Sequence, residues 1–79
     1  MNTEYNGWAN FATWNVATWL MDYEGYYNLV RSTEGSYKDL SSILSDEFNL
    51  KVTPDGESFL GRDLDREALN NLLEELRKD

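Results

Sequence analysis

Apolar residues recur at helical spacing in three long stretches of this chain, and in one short stretch they alternate with polar residues. From Asn10 to about Tyr23, Ala12, Val16, Trp19, Leu20 and Tyr23 share one broad face of a helical wheel. Asn15, Thr18 and Asp22 make a narrow polar strip bordered by Trp14 and Trp19. A helix apolar over most of its circumference packs against several neighbours, so this one is expected at the centre, with Asn10 as its N-cap. Residues 1–7 are polar and end in the turn signal Asn6-Gly7. Gly25 is expected to break or bend the helix, and a short second one follows over Tyr26–Arg31.

After the loop Thr33-Glu34-Gly35-Ser36, Ser36 can cap a third helix in which Tyr37, Leu40, Ile43, Leu44 and Phe48 keep helical spacing, ended by Asn49. Leu50 and Val52 then alternate with polar residues. Pro54-Asp55-Gly56 is a strong turn, and Ser58-Phe59-Leu60 follows. The pattern predicts a short β-hairpin, which must lean on a helix because two strands alone are marginal in water. The last element is the clearest: Leu64, Ala68, Leu69, Leu72, Leu73 and Leu76 repeat at three and four residues. Asp65 is its expected N-cap, Leu64 can staple onto Leu69, and Arg77 and Lys78 suit the negative end of the helix dipole. The predicted fold class is mainly α (α+β): a single small helical domain over residues 1–79, with three to four helices and one short hairpin.

Composition narrows the chemistry. Seventy-nine residues without cysteine or histidine leave no disulfide, thiolate metal site or imidazole acid–base pair. No apolar run approaches a membrane span, and no basic segment precedes an apolar stretch at the N-terminus, so a soluble cytoplasmic protein is expected. Fifteen acids against seven bases give a net charge of −8. Residues 1–33 contribute three acids and one base, and residues 34–79 twelve acids and six bases. Direct nucleic-acid binding, which draws on clustered Lys and Arg, is disfavoured; a basic partner is favoured.

Two acidic constellations invite a sharper reading and do not sustain it. Counted from Asp63, acids at Asp63, Asp65, Glu67 and Glu74 fit four positions of a calcium loop, but Ala68 stands where that loop needs glycine. The same residues carry the apolar face of the last helix. Paired carboxylates for glycoside hydrolysis would need a cleft that so short a chain has little room to form. No nucleophile elbow, P-loop or dinucleotide fingerprint is present. No catalytic residue, cofactor or metal is assigned, and the chain is read as a non-enzyme.

Eight of the eleven aromatics, with all three tryptophans, lie between Tyr5 and Tyr27. Rings of this size supply much of a small core, yet there are more than one helix face can hide. Tyr5 and Trp8 before the helix, and Tyr26 and Tyr27 after its break, are the expected exposed anchors, since Trp and Tyr are enriched at binding hot spots. Asp55, Glu57 and Asp63, close together around the turn, are the expected acidic contacts.

The run Asn6-Gly7-Trp8-Ala9-Asn10-Phe11-Ala12-Thr13-Trp14-Asn15-Val16, continuing to Trp19-Leu20, Glu24-Gly25 and Tyr27, resembles a pattern of small uncharacterised phage and mobile-element proteins, roughly N-G-W-x-N-aromatic-x-T-W-x-V-x-x-W-L. The resemblance covers the first third of the chain. Asp22-Tyr23 stands where that pattern commonly has Asn-Asp. It implies a small accessory protein, viral in origin, with no activity to carry over. Joined to the charge, it suggests an inhibitor of a basic host protein that binds nucleic acid, a CRISPR effector or a restriction nuclease, acting in the host cytoplasm. A compact domain of this length has a radius of gyration near 12 Å. Duplex DNA as long as its diameter of roughly 30 Å carries about 18 phosphate charges, so −8 suits one basic patch better than mimicry of a whole duplex. The alternative is a non-inhibitory interaction or assembly module, with a homodimer formed through the aromatic segment.

Overall fold

The computed structural model describes residues 7–78. Four helices carry the chain: α1 (Phe11–Asp22), α2 (Glu24–Ser32), α3 (Tyr37–Phe48) and α4 (Arg66–Arg77). Their starts obey local chemistry. Asn10 accepts the Thr13 N–H at 2.8 Å, and Asp65 accepts the Ala68 N–H at 3.1 Å; each side chain satisfies an amide that the first turn leaves open. At α3 the Asp39 carboxylate accepts from the Ser36 N–H at 2.9 Å. Gly35, at φ +99°, lies so close to that carboxylate that a Cβ would collide with it.

The break between α1 and α2 falls at Tyr23 and not at Gly25. Tyr23 is extended (φ −103°, ψ 121°) and closes one helix while opening the next. Its N–H reaches the Trp19 carbonyl, and its own carbonyl accepts the Tyr27 N–H at 2.8 Å. Gly25 lies inside α2, where glycine is merely a weak helix former. Having left the helical spiral, Tyr23 is 52% exposed instead of following the apolar face.

One cluster forms the core: Val16, Ala17 and Leu20 from α1, Val30 from α2, Tyr37, Leu40 and Leu44 from α3, Phe59 and Leu64 from the connection, and Leu69, Leu72 and Leu73 from α4. Burying a leucine-sized side chain contributes about 1.5–3 kcal/mol, so the α4 leucines are a large part of what holds the domain. Helix α4 packs on each of the other three, which gives it the central place expected for α1. Its C-terminus exchanges arginines with α2. Arg31 donates to the Leu76 and Lys78 carbonyls (2.7 and 3.2 Å), while Arg77 donates to the Val30 and Gly35 carbonyls (3.0 and 2.8 Å).

No β-hairpin forms among the described residues. An isolated antiparallel bridge pairs Val52 with Ser58, around a turn in which Gly56 (φ +98°) donates to the Thr53 carbonyl. The ladder stops there because a helix side chain claims the Phe59 carbonyl, which the next rung would use, and further side chains hold the connection that follows. The Tyr37 hydroxyl takes the Phe59 carbonyl at 2.6 Å, Asn10 takes the Asp63 carbonyl at 2.6 Å, and Thr13 accepts the Asp65 N–H at 2.9 Å. Buried backbone groups need a partner, and here helices supply it. The domain is therefore mainly helical. Its radius of gyration is 11.8 Å. No helix among the described residues is long and apolar enough to cross a membrane.

Candidate functional site

The polar positions of α1 are where the structure departs furthest from the sequence pattern. Asn15, on the narrow polar strip of the helical wheel, is 3% exposed, and Thr13 is fully buried. The Asn15 carbonyl oxygen accepts from the Thr53 hydroxyl at 2.7 Å, and its amide donates to the Asp55 carboxylate at 2.8 Å. Trp19 donates its indole N–H to the same carboxylate oxygen at 3.0 Å. Asn10, Thr13, Asn15 and Trp19 thus hold the segment 53–65 along α1 by side-chain hydrogen bonds. Asp63 lies at Asn10, and Asp55 at Asn15 and Trp19, some 8–13 Å further along the helix axis at 1.5 Å per residue. The acids form an edge beside α1.

Two of these bonds favour the charged form of Asp55. The Asn15 amide, and after it the Trp19 indole, favour the ionised Asp55 carboxyl and hold it below its ordinary value, against slight opposing desolvation. Glu57 is half-buried and Asp63 exposed; the bonds the structure gives Glu57 and Asp63 here run through their backbones. Asp55 therefore has a place in the fold that the turn signal alone does not reveal.

From Asp55 a line of rings runs inward. The Trp19 ring lies 3.9 Å from Tyr23 and 6.2 Å from Tyr26, and Tyr26 lies 6.0 Å from the buried Phe59. Burial raises the Tyr26 phenol above its ordinary value. Tyr26 also lines an apolar groove of about 360 Å³ with Gly25 and Leu29 of α2, and Phe48 and Leu50 at the end of α3. Phe48 was expected on the inner stripe of α3. It is 51% exposed; past the left-handed turn at Asn49 (φ 55°) it is Leu50 that packs on the core.

The structure brings Asp55 and Tyr26 together through Trp19, with Glu57 in the same turn as Asp55. Trp8 is half-buried against the core, and Tyr27 is half-buried beneath the Arg31 guanidinium, 5.8 Å from its ring centre. Tyr5 lies outside the described residues. Among the described residues, no three acidic side chains come together as a metal site. The sequence reading missed Phe48, Leu50 and Gly25 as groove residues, and Asn15 and Thr53 as the buried seam. The signal for the seam was the N-x-x-T-x-N interleaving of Asn10, Thr13 and Asn15 within an aromatic run.

The entire chain, residues 1–79, matches a family of unknown function, DUF7249. It belongs to that family. The DUF7249 match takes in the acidic second half as well as the N-terminal third that carries the tryptophan motif, and the seam along α1 is where those two parts of the chain meet. No curated protein and no solved structure matches it.

Proposed function

We propose that this chain is a small phage-type accessory protein that binds a host nucleic-acid-binding defence protein, of the CRISPR or restriction type, and inhibits it by occupying its basic surface in the host cytoplasm. It acts by binding, without catalysis, cofactor or metal. The observation that carries this reading is the exposed and largely unpaired acidity of the second half. Asp46, Glu47, Asp55, Asp63, Glu67 and Glu74 are all exposed, and among the described residues one ion pair forms, Lys78 with Glu75 at 3.0 Å. Arg77, by contrast, directs its guanidinium at backbone carbonyls inside the fold.

Size limits the mechanism. The longest dimension is 38 Å, and duplex DNA of that length carries about 22 phosphate charges. A net −8 replaces roughly a third of them. That is enough to cover one basic patch, where carboxylates compete with phosphates for the same Lys and Arg side chains.

The test is displacement. The tagged chain retains proteins from a bacterial lysate at low salt, and each retained protein is then bound to labelled nucleic acid and titrated with the chain. The reading expects release of the label, weakening as salt rises. Retention without release would make the chain a non-inhibitory binder, and retention only of proteins that bind no nucleic acid would end the proposal.

A further inference from the structure

We infer that the groove between α2 and the end of α3 seats an apolar anchor side chain from a basic segment of the partner. The inference rests on the reading of this chain as a binder of a basic protein, and adds a second contact region with its own chemistry. At about 360 Å³, the groove falls in the size range of ligand pockets. Its lining is apolar, and two features of it have no use inside the fold.

The first is Gly25. It sits within α2 at an ordinary helical conformation, and a Cβ there would meet nothing within 4 Å. No turn and no close approach requires glycine, and glycine weakens a helix relative to alanine. What its missing side chain does is widen the groove. The second is Phe48, a large ring left half in water at the opposite wall.

Charge says what fits. The last turn of α3 carries Asp46 and Glu47 and no base, at the helix end where the dipole is already negative and cations are preferred. On the other flank, the exposed Glu24 stands next to Gly25 at the start of α2. Lys51, next to Leu50, offsets one of these three carboxylates. An apolar pocket between two acidic flanks is complementary to a leucine or aromatic residue with Lys or Arg on either side, as in helix-in-groove recognition.

The experiment titrates the ¹⁵N-labelled full chain with a synthetic amphipathic peptide carrying leucines at i and i+4 between lysines, and with its glutamate-for-lysine counterpart. The lysine peptide is expected to shift the amide resonances of Gly25, Tyr26, Leu29, Phe48 and Leu50, and the glutamate peptide to leave them in place. Gly25→Leu places a side chain in the groove from a Cβ that meets nothing within 4 Å and strengthens the helix, so it should melt at or above the parent and bind the lysine peptide at least about tenfold more weakly. Glu47→Lys, on an exposed position, should weaken binding and flatten its salt dependence. The proposal is overturned by unchanged affinity in Gly25→Leu, by shifts confined to residues 53–65, by equal binding of the two peptides, by no binding of the lysine peptide, or by self-association that shifts the groove residues without peptide. No host protein is used, so the displacement assay and this titration fail independently.

Discussion

The Thr53 hydroxyl donates to the Asn15 side-chain carbonyl at 2.7 Å, with both residues shut away from solvent. This bond ties the 53–56 turn to α1, and the Asn15 amide continues it to Asp55. Neither residue belongs to an apolar stripe, yet together they fix where the acidic edge lies.

Removing either partner should therefore cost more than a surface change. Asn15→Ala leaves a buried hydroxyl without its acceptor, and about 1–3 kcal/mol is the expected penalty for such a group. Thr53→Val removes the donor and leaves the Asn15 oxygen unsatisfied. Urea denaturation of the two single variants and the double variant should give non-additive losses, with the double close to the worse single. Strict additivity would mean the pair is not coupled.

The same network makes stability sensitive to acid. The Asp55 carboxyl is held below the ordinary value of 3.8 by the Asn15 amide and the Trp19 indole. A depressed acid contributes stability that is present above its unfolded pKa and is lost as pH falls through the folded one. Stability should then decline as pH drops below about 4. Trp19→Phe, which keeps a ring and removes one donor, should move the Asp55 titration toward 3.8 when followed by carboxyl carbon NMR; an unmoved titration would remove the indole from this role.

Arg77 predicts a different kind of loss. Its Nε and Nη1 hold the Val30 and Gly35 carbonyls, and its Nη2 reaches the Thr33 hydroxyl at 3.3 Å. A lysine keeps the charge but cannot reproduce three donors in one plane. Arg77→Lys should cost about 1.5–3 kcal/mol, the scale of charge-assisted bonds, and a domain of this size loses roughly 4–8 °C of melting temperature per kcal/mol. A melt within a degree or so of the parent would show that these bonds exchange freely with water.

The helices were legible because their signals are local. Asn10 and Asp65 cap as their positions suggest, Ser36 opens α3, and the leucines of α4 turn inward at three- and four-residue steps. What stayed hidden depends on partners distant in sequence. Nothing near Asn15 shows that its amide will be met by Thr53 and Asp55, some forty residues away. The alternation around Val52 reads as a hairpin, and only the Tyr37 hydroxyl on the Phe59 carbonyl explains why the ladder ends after one bridge. Phe48 looked like core by periodicity. Past the left-handed turn at Asn49 it is Leu50 that packs on the core, and Phe48 lines the groove.

Tyr37 offers a test of that hidden constraint. Its hydroxyl is buried on the Phe59 carbonyl, and burial pushes the phenol far above its ordinary value, with the Arg66 charge pulling weakly the other way. Tyr37→Phe should cost about 1–3 kcal/mol by orphaning a buried carbonyl. Since the buried phenol resists ionisation while the unfolded one titrates near 10, stability should fall as pH rises above that value. The phenylalanine variant should fall less steeply. Parallel alkaline curves for the two proteins would refute the assignment.

Binding through the acidic edge is tested best by Glu57 and Asp63, and Asp55 has to stay out of that experiment. Reversing Asp55 would place an ammonium against the Asn15 amide and the Trp19 indole, both of which donate, so lost binding could not be told from a displaced turn. Glu57 and Asp63 hold the seam through backbone groups, which substitution leaves in place. The variant Glu57→Lys with Asp63→Lys changes the net charge by four units, from −8 to −4, with the helices expected to remain intact by circular dichroism. Carboxylates that meet a basic groove act chiefly on the association rate and on salt dependence, and exposed charges are screened beyond about 8–10 Å at physiological salt. The variant should therefore associate at least about tenfold more slowly with the retained host protein at low salt. The difference from the parent should shrink as salt is raised, because screening removes in the parent what the substitutions removed in the variant. Equal association rates across the salt series, in a variant that remains folded, would exclude this edge as the contact and leave the groove around Tyr26 and Phe48 to account for binding.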